Sequence, residues 1–410
     1  MSDFFNVLTS EHALEVVRER VTARVDSETV PTALALARVT AAQLTSPEDL
    51  PAFPRSTMDG FSVRASDTFG ASEALPAYLD VIGDIPTGSQ SDVELATGQA
   101  AGAFTGGMLA AGADAVVMVE NTQPIDGTAI EVVRPVASGE NVLQVGEDIG
   151  RGAVVLEAGH VLRPQDLGGL LALGITTVVV ARRPRVAIIS TGDELVQPEA
   201  TPDLGMIRDI NTYTVSALVQ EAGGIPVPVG LIKDDYESQK AAAMKAQDLG
   251  DLVVFSAGSS ISTRDLTARV IDEMGSPGVL VHGVSLKPGK PTIFGLSGTT
   301  PAFGLPGNPV SAMVVFDLLV RPTIYQLAGC VRPPQPSTVQ AVLSRDVPSQ
   351  AGREDFVQVR VVSENGRLSA EPVFGKSNLI NTLVAADGTI RVPLNKGGLY
   401  TGDQVSVNLF

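Results

Sequence analysis

Between Arg185 and Gly329 the chain alternates strand-like apolar runs with amphipathic helices, and this rhythm constrains the fold more than any other feature. "RVAIIS" reads as a buried strand. "INTYTVSALVQEAGG" reads as a helix, with Asn211 as its cap and Gly223 as its stop. "IPVPVGLI" is a second strand, followed by a helix from Tyr236 to Asp248, a strand "DLVVFSAG" and a helix "DLTARVIDEMG". Two short strands, "TIFGL" and "PAFGL", then precede the long helix "NPVSAMVVFDLLVRPTIYQLAG". Strands separated by helices predict a mainly parallel sheet covered on both faces, a central three-layer α/β domain over residues 181–330.

The flanking regions have other textures. An amphipathic helix opens the chain, with Ser10 as cap and Leu14, Val17 and Val21 at helical spacing. Residues 51–150 alternate short apolar runs with Gly, Pro and Asp turns, the pattern of an all-β module. Residues 151–180 return to a helical pattern and a β-branched run. After Pro333 and Pro334, alternation as in "DFVQVRVV" and "DQVSVNLF" predicts a small C-terminal β-barrel or sandwich over 331–410. The fold class is therefore multidomain α/β plus β.

Charge narrows the possible partners. A net charge of -17 argues against nucleic acid and against an anionic membrane surface. Lone Cys330 permits no intrachain disulfide and fits a reducing compartment. No basic-then-apolar leader is visible, and the longest apolar region, 167–181, is too short to span a bilayer; a cytoplasmic location is expected.

Ligands of open α/β sheets bind outside the carboxyl ends of the strands. Those ends carry "TGDE" with Glu194, "KDD" with Asp234, "AGSS" leading to Asp265, and "PGNP" with Pro306, Gly307 and Pro309. Asn308 can cap the last helix and Pro309 suits its first position, which leaves the N–H groups of Val310 and Ser311 to face a phosphate. The chain has only seven lysines, and two of them, Lys287 and Lys290, lie in the stiff loop "SLKPGKP". A Lys-Pro-Gly-Lys loop alone is an ordinary exposed turn, and strand-end carboxylates are often mere caps. Their shared edge gives them more weight. The lysines suit an anion, and Glu194, Asp234 and Asp265 suit a divalent cation bridging phosphate oxygens. His12, His160 and His282 have no metal-ligand spacing, and Cys330 is expected to be a packing or surface residue, not a nucleophile. A Walker loop is excluded by five residues between the glycines of "GVSLKPGKP" and by Pro291, and no G-x-G-x-x-G follows the first strand.

"STMDGFSV", "GADAVVMVE", "GEDIGRGAVVLEAGHVLRP", "STGDELV", "SLKPGKP", "GLPGNPVSA" and "GREDFVQVR" occur in an order that resembles the molybdopterin molybdenumtransferase family, the MoeA and gephyrin E-domain group. The resemblance covers nearly the whole chain. It implies four domains, one of them a discontinuous linker and dimerisation domain from 1–50 and 151–180, in an elongated homodimer with a shared cleft. It implies insertion of molybdate into adenylylated molybdopterin, with Mg²⁺-dependent hydrolysis of the pyrophosphate link and release of AMP. The adenylyltransferase of the same pathway is then the expected partner. By motif, Asp59, Asp148, Glu194, Asp234 and Asp265 match catalytic positions. Thr105, Lys287, Lys290, Pro306, Gly307, Pro309, Ser311, Arg353 and Ser377 match substrate and anion positions.

The chain departs from the family pattern in places. "SAGSSISTRD" puts Ala257 and Ser262 where glycines are usual, and Arg264 beside Asp265. Gly283, Leu143 and Gln144 stand where basic residues are common. These changes motivate a rival expectation, a paralogue that binds pterin or nucleotide as a scaffold without turnover. A different nucleotide enzyme on the same α/β domain is disfavoured by the β module and the tail.

Overall fold

The structure, a computed structural model, describes residues 7–257, 261–364 and 366–410, with the backbone alone for 261–264. It divides into two compact units. One comprises Met1–Ala42, Ala158–Leu167 and Thr176–Phe410; the other comprises Gln43–Glu157 and Gly168–Ile175.

In the first unit, six strands form a mixed sheet. Their order is Ile225–Ile232, Arg185–Thr191, Leu252–Ala257, Thr300–Pro306, Ile293–Ser297 and Pro277–His282. The first four are parallel, and Ile293–Ser297 pairs antiparallel to both of its neighbours. Strand Pro277–His282 is not announced by the sequence, because turn residues Pro277 and Gly278 fill its first two positions and leave an apolar run of only three.

Period-two alternation sends side chains to two different cores. Val186 and Ile188 join Val17, Val215, Phe303 and Phe316 on one face. Ala187 and Ile189 join Ala243, Ala246 and Ile271 on the other. The helices Ser10–Arg20, Asn211–Glu221 and Pro309–Leu327 cover the first face, and Tyr236–Leu249 and Ile261–Glu273 the second. Pro309–Leu327 is the one helix among the described residues long and apolar enough to cross a membrane, and 61% of its window is buried in this core.

Two expected caps are corrected. Thr9, not Ser10, caps the first helix by accepting from the His12 N–H; Ser10 is buried and donates to Glu354. Asn211 is the first helical residue rather than a cap, and Asp209 accepts from the Thr212 N–H. Asn211 instead donates from Nδ2 to Ser256 Oγ (2.8 Å) and to the Gly307 carbonyl (2.7 Å), tying two strand ends together. Gly223, at φ +83°, ends that helix as expected.

The tail closes into a five-stranded barrel. Glu354–Glu364, Arg367–Pro372, Thr338–Leu343, Gln404–Leu409 and Gly388–Val392 pair in that order, and the last returns to the first. Closure leaves no open edge. The short strand Leu286–Lys287 adds to Glu354–Glu364 in parallel, with Lys287 opposite Asp355. Also in this unit, Ser27–Pro31 pairs antiparallel with Thr177–Ala181.

The second unit is the β module. Its sheet order is Ala115–Met118, Gly60–Val63, Gln99–Ala103, Ala77–Ile85, Ala129–Val132 and Thr122–Ile125. Val63, Leu79, Ala100, Val117, Ile130 and Val132 form its core. At its base Leu44–Thr45 pairs with Val154–Leu156.

Candidate functional site

A cleft of about 1130 Å³ opens in the first unit where the α/β domain meets the barrel. Its volume exceeds that of a typical small-molecule pocket. Lys287, Lys290, Pro306, Gly307, Ser311, Arg353 and Ser377 all line it, as does Asp265. Pro309 does not; it is buried at the first position of its helix. Two charged lining residues escaped the sequence reading, Asp355 and Lys376. Four cations, Lys287, Lys290, Arg353 and Lys376, thus face two carboxylates, so the lining carries positive charge on a strongly acidic chain.

The lysine loop is built to hold its shape. The Val284 N–H donates to the Lys290 carbonyl (2.9 Å), and Thr292 Oγ1 donates to the Gly289 carbonyl (2.6 Å). Gly289 has φ +121°, and a Cβ there would lie 2.4 Å from Leu286 Cδ1 and 2.7 Å from Val315 Cγ2. Only glycine fits. Strand pairing puts Lys287 beside Asp355: Nζ lies 3.7 Å from Oδ2, and Arg353 Nε donates to Oδ1 at 2.9 Å.

The helix start differs from expectation. Asn308 occupies the cap position but makes no side-chain cap; its Nδ2 donates to Ser377 Oγ (3.0 Å). The Val310 N–H donates to the Ser377 carbonyl (3.2 Å) and does not face the cleft unpaired. Ser377 thus takes one of the two N–H donors that the sequence assigned to phosphate. No local pattern announces a partner 67 residues away.

The carboxylates fall into separate groups. Burial raises the Asp234 pKa above the usual range, and the Glu194 charge adds to it. The Glu194 and Asp234 loops follow the adjacent parallel strands Arg185–Thr191 and Ile225–Ile232 and so leave the same end of the sheet. The Asp234 N–H donates to Asp193 Oδ1 (3.3 Å), and Gln239 Nε2 reaches Asp234 Oδ1 at 3.4 Å. Gln239 is fully buried and its Oε1 has no hydrogen-bond partner. The Asp234 carboxylate, reached by a Gln239 side chain whose amide oxygen is unsatisfied, and the Glu194 carboxylate supply oxygen donors of the kind a divalent cation takes. Asp265 lies on the helix Ile261–Glu273, which begins four residues before the run "DLTARVIDEMG", and lines the cleft. Among the described residues no three His, Cys, Asp or Glu side chains gather as a metal-ligand group, so Glu194, Asp234 and Asp265 are not a preassembled triad. The "AGSS" loop from Gly258 to Ser260 and the side chains of Ser262 and Arg264 lie outside the described residues.

In the β module, Asp59 and Thr105 meet. Asp59 Oδ1 accepts from the Thr105 N–H (2.8 Å) and hydroxyl (2.9 Å), which hold its exposed carboxyl below the usual pKa. Asp148 is exposed on the same unit, and its N–H donates to the Leu50 carbonyl (3.0 Å).

Comparison with known proteins agrees with this arrangement over the full chain. Residues 8–174 match the family model for the MoeA N-terminal region (domain I and II), and 187–326 match the "Probable molybdopterin binding domain". Residues 340–410 match the MoeA C-terminal region (domain IV). A molybdopterin molybdenumtransferase of Haemophilus influenzae is 33% identical, covering 98% of this chain and 99% of its own. One from Bacillus subtilis is 34% identical, covering 91% and 87%. A crystal structure of the molybdopterin biosynthesis MoeA protein of Pyrococcus horikoshii OT3 superimposes with a TM-score of 0.85 at 33% identity, over 99% of this chain and 100% of that one. With all three regions matched in order, and with the cleft falling between the second and the third, the chain belongs to the MoeA family of molybdopterin molybdenumtransferases.

Proposed function

We propose that the protein is a transferase of molybdenum cofactor biosynthesis, inserting molybdenum into molybdopterin, and that the cationic cleft is where its oxyanion binds. The observation that carries this is the convergence of Lys287, Lys290, Arg353, Ser311 and Ser377 on one cleft. Molybdate is a doubly charged tetrahedral oxyanion. At about 4 Å and an effective dielectric of 20, each cation attracts a unit charge by about 4 kcal/mol. Remote surface carboxylates are screened beyond a Debye length of about 8 Å. The local cations therefore outweigh the distant net charge.

The finer chemistry is our reading, supported by the family likeness. The pterin enters as its adenylylated form, water attacks a phosphorus of the pyrophosphate link, and AMP leaves. Glu194 and Asp234 would hold Mg²⁺, which supplies charge neutralisation on the phosphates when bound. Asp265 lines the cleft and is suited to orient water. Asp59, with Thr105, and Asp148 belong to the β module; we assign them to the site of a partner protomer in a homodimer. Exposure of Leu34 (73%) and Leu36 (50%) within one short segment supports an apolar pairing surface.

Isothermal calorimetry with molybdate tests the cleft assignment. Lys290→Ala and Lys287→Ala should each weaken binding by about tenfold or more, the scale of one charge-assisted hydrogen bond. Their melting temperatures should hold, because exposed loop charges contribute little to stability. Unchanged affinity in both variants refutes the assignment. Release of AMP from adenylylated molybdopterin, with and without molybdate, separates the enzyme from a scaffold paralogue: a folded protein that binds but releases none is the latter.

A further inference from the structure

We propose that Asp355 is a positioning residue for oxyanion recognition, whose buried carboxylate sets the Arg353 guanidinium and the Lys287 ammonium at the cleft wall. This rests on the assignment of the cleft to molybdate. Asp355 is only 2% exposed, whereas the side chains it holds are 34% (Arg353) and 60% (Lys287) exposed. The carboxylate thus sits behind the two cations, and their remaining donors are open to the cleft. Arg353 spends Nε (2.9 Å) and, more distantly, Nη2 (3.5 Å) on Asp355. A guanidinium has five N–H donors, so others remain for a ligand.

The backbone enforces the arrangement. Lys287 and Asp355 are register partners in a parallel pair, and paired residues on adjacent strands project to the same face. Arg353 stands two residues before Asp355 on the same chain segment. The loop that supplies Lys287 and the barrel that supplies Arg353 are therefore coupled through one buried group. Among the described residues, no carboxylate pairs with the other two cleft cations, Lys290 and Lys376. A buried carboxylate in the wall of an anion site opposes the anion by its charge. Its placement there is accounted for if ordering of Arg353 and Lys287 outweighs that opposition, since ordering donors beforehand removes an entropic cost of binding.

Asp355→Asn in the full chain tests this. Asparagine keeps the shape and one acceptor oxygen but removes the charge that fixes both cations. Affinity for molybdate alone should fall about tenfold, and KM for molybdate should rise in step while kcat stays within about twofold. Arg353→Lys should produce a similar loss. The double variant should lose less than the sum of the two single losses, because both changes remove the Arg353–Asp355 geometry while only Asp355→Asn releases Lys287. Tighter or unchanged binding in Asp355→Asn overturns the proposal, and so do additive losses in the double variant. If Asp355→Asn does not fold, nitrogen-15 NMR of the wild-type Arg353 Nε–H decides. Slow exchange with and without molybdate supports the proposal; fast exchange in the free protein overturns it. Wild-type protein that binds no molybdate refutes the cleft assignment itself. Wild-type binding that Lys290→Ala weakens and Asp355→Asn leaves alone refutes only the role of Asp355.

Discussion

At Asp234, burial and the neighbouring Glu194 charge both oppose ionisation. The folded carboxyl keeps its proton to a higher pH than the unfolded one. In the window between the two pKa values the folded state binds more protons, so stability falls as pH rises through it. Ionised Asp234 is thus a standing cost at neutral pH. Asp234→Asn removes that cost and still offers an oxygen to Gln239. Calorimetric scans should show a raised melting temperature at pH 7, with the gain fading as pH falls toward the ordinary Asp value of about 3.9. Cofactor synthesis should fall in the same variant. A lower melting temperature at pH 7 would mean that Asp234 is stabilising as a charge. Residues of this scale differed in legibility. Lys287 and Lys290 stood out as rare lysines between prolines, whereas Asp355 reads as one more alternating residue until its partners are known.

The elements followed from period and punctuation where their partners are local. The helices, the parallel strands and the left-handed Gly223 stop are set by neighbours a few residues away. The long helix Pro309–Leu327 forms as expected, but it passes through a π turn at Phe316–Val320 before Arg321–Leu327, with Pro322 just past that turn. A proline lacks the N–H that would continue the ladder, and a π turn is one way to pass it. In the β module, glycine follows Asp59 for a reason that the motif does not display. A Cβ on Gly60 would lie 1.9 Å from the Val117 carbonyl oxygen, across the antiparallel pair that joins their strands. Gly60→Ala should force those strands apart, displace Asp59 from Thr105, and destabilise the chain by about 3 kcal/mol, readable by urea unfolding. A change under about 0.5 kcal/mol would show that the backbone relaxes freely there.

Across the whole molecule, long-range bonds decide what surrounds the cleft. Ser10 and Arg391 both donate to Glu354, and Gln326 Nε2 donates to the Arg18 carbonyl (2.8 Å), so the first helix, the helix Pro309–Leu327 and the barrel share anchors. The proposed pairing of protomers predicts a solution mass of twice 42.5 kDa by light scattering. Leu34→Glu combined with Leu36→Glu should halve it, by placing charge in an apolar surface. A wild-type monomer at micromolar concentration would refute the pairing. The sequence by itself determined the α/β rhythm, the all-β character of the insert and tail, and the edge on which Glu194, Asp234, Pro306 and Gly307 stand, because hydrophobic period and turn residues act over a few positions. Only the tertiary structure decided that Ser377 occupies the Val310 N–H, that Glu194, Asp234 and Asp265 do not gather as one ligand group, and that Asp355 lies behind Arg353 and Lys287. Those outcomes depend on which distant segments meet when the barrel docks, and no local pattern encodes the geometry of that meeting.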